Sequence, residues 1–82
     1  MQIKIILPEL GAAPMHLSCW FADQGETVFT GDRLVEIAVD GATFDVSAPA
    51  TGRLVEKNVF PRERVQPGQI LGIVEAEERD EG

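Results

Sequence analysis

The feature that most constrains this chain is that it repeats itself. Displaced by 37 residues, Val28 meets Val65, Gly31 meets Gly68, Leu34 meets Leu71 and Ile37 meets Val74. Leu17 and Glu26 meet Leu54 and Glu63 in the same register. The copies read "GETVFTGDRLVEI" (25–37) and "RERVQPGQILGIV" (62–74), with Arg62 opposite Gly25. A unit this short cannot bury its own apolar face, so repeated units share one core. The expectation is two similar β-units related by a pseudo-twofold axis, each completing the other. The same displacement sets Gly41 against Lys4 and against Glu78, so a hairpin at residue 41 would correspond to the two chain termini.

Strand signals dominate both copies. "QIKIIL" (2–7), "HLSCWF" (16–21), "DRLVEIAVD" (32–40), "ATFDVSA" (42–48), "GRLVEKNVF" (52–60) and "QILGIVEA" (69–76) carry the β-branched content or alternation of strands. No window holds an apolar stripe of helical spacing long enough to form a helix. Gly and Pro fall between the runs, at Gly11, Pro14, Gly25, Gly31, Pro49, Gly52, Pro61 and Pro67-Gly68. Short strands at close intervals predict a small all-β barrel or sandwich. Within "EIAVDGATFDV" (36–46), Asp40-Gly41 lies between alternating apolar residues and predicts a two-residue hairpin turn, which Asp-Gly can form as type I′.

Size and charge narrow the function. The 82 residues amount to one small domain, too short to combine a core with a deep enclosed active site. With four Phe, one Trp and no Tyr, the core is expected to be mainly aliphatic. Seven Lys plus Arg against fourteen Asp plus Glu give a net charge of −7, which opposes binding to nucleic acid or to an anionic membrane. A protein partner met by electrostatic steering suits it better. Part of the acidity lies in "EAEERDEG" (75–82), read as a solvated end or linker start from residue 77. The single Cys19 excludes an intrachain disulfide, and no leader or membrane-spanning run is evident, so a cytoplasmic location is expected.

Few residues suggest chemistry. His16 has no second His, and alternation places Cys19 on the opposite strand face, so neither a metal site nor a base is expected. Cys19 is read as a small buried hydrophobe, and Trp20 as a packing residue rather than a recognition residue near the tip. Glu36, Asp40 and Asp45 form an acidic set around the hairpin, either solvated strand positions or partner contacts.

Taken in order, four fragments resemble the lipoyl domain of the 2-oxo-acid dehydrogenase acyltransferases, within the biotinyl/lipoyl carrier superfamily. They are "LPELG" (7–11), "CWFADQGETVFTGDRLVEI" (19–37), "VDGATFDVSAPATGRLVE" (39–56) and "GQILGIVE" (68–75). The resemblance spans nearly the whole chain, with a domain over residues 1–76. It implies a flattened β-barrel or sandwich of two four-stranded antiparallel sheets. It also implies a carrier rather than an enzyme, with subunits of a dehydrogenase complex as partners.

In that family one lysine at the hairpin tip, preceded by Asp and followed by Ala, carries lipoate as an amide. Here Asp40 and Ala42 keep the lipoyl-like flanks, and Gly41 stands at the lysine position. Glycine offers no amine, so no cofactor is expected at Asp40, Gly41 and Ala42. Gly suits positive φ and leaves the turn intact, or more stable by up to about 1 kcal/mol. Lys4 and Lys57 match no tip. The alternative is a genuine lipoyl, or less readily biotinyl, carrier that uses another lysine or is represented by a lysine-to-glycine variant. A second departure is Arg62, where the family's second copy usually has Gly. Either Arg62 sits in a strained turn, or "FPRERV" (60–65) differs from "DQGETV" (23–28).

Overall fold

A computed structural model describes residues 1–11 and 14–77. Among the described residues there are eight strands: β1 (Gln2–Ile6), β2 (Met15–Trp20), β3 (Thr27–Val28), β4 (Arg33–Val39), β5 (Ala42–Ser47), β6 (Gly52–Lys57), β7 (Arg64–Val65) and β8 (Ile70–Ala76). They form two four-stranded sheets, ordered β1-β8-β6-β3 and β5-β4-β2-β7, and every pairing is antiparallel. The result is the expected pair of sheets, as an open sandwich rather than a closed barrel. The acidic end expected over residues 77–82 lies, except for Glu77, outside the described residues.

The 37-residue repeat is the symmetry of this sandwich. β2, β3 and β4 superimpose in register on β6, β7 and β8. The short strands are exchanged: β3 of the first copy edges the sheet built on β6 and β8, and β7 edges the sheet built on β2 and β4. The turns match bond for bond. Glu26 Oε1 accepts from the Asp23 N–H at 2.9 Å, as Glu63 Oε1 accepts from the Phe60 N–H at 2.6 Å. Asp32 Oδ2 accepts from Phe29 N–H at 3.0 Å, as Gln69 Oε1 accepts from Gln66 N–H at 2.9 Å. The Gly25 N–H donates to Leu54 O at 2.6 Å, and the Arg62 N–H to Leu17 O at 2.8 Å. The loop at "FPRERV" therefore keeps its counterpart's shape, and Arg62 bears the strain at φ 77° where Gly25 stands at φ 93°.

The edge strands follow a different displacement. Ala42 pairs with Val39, and Met1 O accepts from the Ala76 N–H at 2.8 Å; Ser47 pairs with Arg33, and Ile6 with Ile70. β5 thus maps onto β1 with an offset of 41 residues, not 37. The pairing of Gly41 with Lys4 is corrected accordingly, although Met1 and Ala76 do meet where the tip lies in the other sheet. The four-residue difference falls between Pro8 and Met15, because Leu7-Pro8 matches Ala48-Pro49 while Met15 matches Gly52, leaving residues 9–14 against 50–51.

A bulge in each copy decides which side chains face inward. The β2–β4 register shifts between Leu17 and Cys19, and the β6–β8 register between Leu54 and Glu56. Beyond the bulge Cys19 pairs with Glu36 and Trp20 with Val35. Paired residues share a face, so Cys19 turns outward and Trp20 inward. Simple alternation is overturned here: Cys19 is half-buried rather than a core residue, and it shares the outer face with His16. Trp20 packs on the core as expected, its Nε1–H donating to Val59 O at 2.8 Å. The core is aliphatic (Ile5, Leu7, Leu17, Leu34, Ile37, Leu54, Leu71, Val74 and others), and all four Phe are exposed.

Candidate functional site

The candidate site is the β4–β5 hairpin tip. Val39 and Ala42 form the closing pair, leaving Asp40-Gly41 as a two-residue loop, both residues exposed. Gly41 has φ 73°, and among the described residues only Arg62 is a non-glycine at positive φ. Asp40 therefore lies outside the left-handed region. The turn has the φ pattern of type II rather than of type I′, which needs positive φ at both central residues. An added Cβ at Gly41 would meet nothing within 4 Å, so the tip projects freely and the space for a long side chain is open. Neither the Asp40 carboxylate nor the Gly41 N–H has a hydrogen-bond partner among the described residues.

A shallow groove of about 340 Å³ runs beside the tip, lined by Pro14, His16, Ala38, Val39, Asp40 and Gly41. His16 faces it because β2 pairs His16 with Ala38 on one side and with Arg64 of β7 on the other. Sequence reasoning missed Pro14 as a neighbour of the tip. The signal for Pro14 was the four-residue excess of the first copy, which ends there. No group of three or more metal-ligating side chains occurs among the described residues.

The acidic set does not converge on the tip. Glu36 and Asp45 are direct cross-strand partners, and Asp45 Oδ2 pairs with Arg33 Nη1 at 3.4 Å. Asp40 is four residues along the strand from Glu36, roughly 13 Å at strand rise. Only Asp40, of the three, belongs to the loop. Trp20 is also remote from it, at the far end of β2 from His16. Nor do the lysines supply an alternative tip. Lys4 sits mid-strand opposite Ile73, and Lys57 Nζ lies 5.2 Å from the centre of the Trp20 ring, half-buried.

This exposed two-residue tip on a sandwich of exchanged halves has known counterparts. The sequence profile of the biotin/lipoyl family, described as "Biotin-requiring enzyme", matches residues 3–74. The chain belongs to the biotin/lipoyl family. The lipoyl domain of the 2-oxoglutarate dehydrogenase complex from Azotobacter vinelandii superimposes with a TM-score of 0.68 at 26% identity, covering 94% of this chain and 99% of that one. Similar curated relatives include the dihydrolipoyllysine-residue succinyltransferase component of the 2-oxoglutarate dehydrogenase complex of Rickettsia conorii, 31% identical over 76 residues. The same component of Bartonella vinsonii is 33% identical over 78 residues. The acetyltransferase component of the acetoin cleaving system of Bacillus subtilis is 30% identical over 73 residues. These alignments cover 90%, 93% and 87% of this chain, and the chain spans about a fifth of each relative's length (19%, 19% and 18%). A biotin/lipoyl domain of this kind is a carrier, not itself a catalyst.

Proposed function

We propose that this domain keeps the frame of a lipoyl carrier without the means to be loaded. Gly41 at the tip carries the reading: between Asp40 and Ala42, where the resemblance places the attachment lysine, there is no amine to acylate. The surrounding hairpin is otherwise complete. Its remaining role is protein–protein contact through the tip and the groove beside it, in or near a 2-oxo-acid dehydrogenase system. The similarity to acyltransferase components supports that setting.

Two experiments test the two halves of this reading. Exposure to lipoate ligase, ATP and lipoate, followed by intact mass, tests loading. Titration of the isotope-labelled chain with the decarboxylase component of a 2-oxoglutarate dehydrogenase complex tests contact. Amide shifts confined to residues 38–43 and His16 are expected. A spectrum unchanged at saturating partner contradicts the contact role. The open space at Gly41 favours one specific alternative, a carrier whose lysine has been replaced in this sequence, because the frame would accept the longer residue.

A further inference from the structure

We propose that Asp40-Gly41 is a modification site, at which Asp40 closes spontaneously to a succinimide and reopens to isoaspartate in the folded protein. The reaction joins the backbone nitrogen of one residue to the side-chain carboxyl of the residue before it. It is hindered by a side chain on the attacking residue and by hydrogen bonds that hold either group. At the tip both obstacles are missing. Gly41 has no side chain and sits at φ 73° with open space around its α-carbon. Its N–H and the Asp40 carboxylate are exposed, and neither has a partner among the described residues.

The other described aspartates provide the contrast within one molecule. Asp32 Oδ2 accepts from the Phe29 N–H at 3.0 Å, and Asp45 Oδ2 pairs with Arg33 at 3.4 Å. Asp23, Asp32 and Asp45 are followed by Gln24, Arg33 and Val46, each bearing a side chain. Asp40 alone combines a free carboxylate with a following glycine.

The step balances with water and protons only. The Gly41 nitrogen gives up its proton and forms a bond to Asp40 Cγ. The carboxyl oxygen takes up a proton and departs as water, leaving a five-membered imide. Water then adds to one of the two imide carbonyls. Breaking the bond from nitrogen to Cγ restores Asp40. Breaking the bond from nitrogen to the former backbone carbonyl leaves the chain running through Cγ, with a free α-carboxylate as the new branch. The net composition is unchanged and nothing is oxidised or reduced. One carbon is added to the main chain of a two-residue loop closed by Val39 and Ala42, so the shape of the tip changes with age.

The test is to incubate the folded chain at neutral pH and physiological temperature and to quantify isoaspartate at each aspartate over time. Peptide mapping after digestion in mild acid, and methyl transfer by an isoaspartyl methyltransferase, give two readouts. Residue 40 is expected to convert about tenfold or more faster than residues 23, 32 and 45, and Gly41→Ala to slow it by about tenfold, because a β-carbon crowds the attacking nitrogen. Asp40→Asn passes through the same imide with ammonia leaving, and is expected to convert faster than Asp40 itself. Equal rates at all four aspartates overturn the proposal. So does an Asp40→Asn chain that keeps its asparagine, or isoaspartate that appears only in the urea-unfolded chain.

Discussion

Trp20 fills the space that a side chain at residue 72 would need: a Cβ on Gly72 would sit 3.1 Å from Trp20 Cη2 and closer still to the Glu56 carbonyl oxygen. The pseudo-twofold pairs Trp20 with Lys57 and Gly72 with Val35, so the symmetry is broken where the sheets meet. One copy supplies the bulk and the other yields the room. Gly72→Val is expected to cost about 3 kcal/mol or more, read as a lower urea midpoint, because backbone as well as ring must move. Adding Trp20→Leu should recover only part of that loss, since the Glu56 carbonyl stays in place.

Trp20 is also tied by its indole. The bond from Nε1–H to Val59 O, 2.8 Å and partly buried, joins β2 to the loop after β6. Trp20→Phe keeps most of the packing and leaves that carbonyl unpaired. A loss of about 1–2 kcal/mol is expected in chemical unfolding followed by circular dichroism.

Arg62 and Gly25 occupy equivalent turns with φ of 77° and 93°, yet only one of them is glycine. Arg62→Gly should relieve the strain and raise stability by about 0.5–1 kcal/mol, the left-handed cost less the added freedom of the unfolded chain. Gly25→Ala should lower it by about 1 kcal/mol, although a Cβ there would meet no atom within 4 Å. Thermal melts of the two variants are expected to shift in opposite directions.

The outline of this fold was legible because its strands repeat. Six of the eight strands announced themselves by composition and alternation; β3 and β7, at two residues each, are too short to show any period. Alternation misplaced Cys19 because a bulge at Ser18 adds one residue and turns every later side chain of the strand over. The 37-residue shift misaligned β1 with β5 because the stretch 9–14 is four residues longer than its counterpart 50–51. The tip was legible as a hairpin and as a carrier frame. Its turn type was not, since Asp-Gly serves more than one turn and the backbone chose positive φ at Gly41 alone. The groove with Pro14 and His16 depends on strand order, which no local stretch encodes.

The central claim is that Gly41 leaves the carrier frame intact and removes only the point of attachment. Its most direct measurement is intact mass after treatment of the wild-type chain and Gly41→Lys with lipoate ligase, ATP and lipoate. The expected result is no change in the wild type and a gain of one lipoyl group in Gly41→Lys, mapped to residue 41. Lipoylation of the wild-type chain, at Lys4, Lys57 or elsewhere, would contradict it.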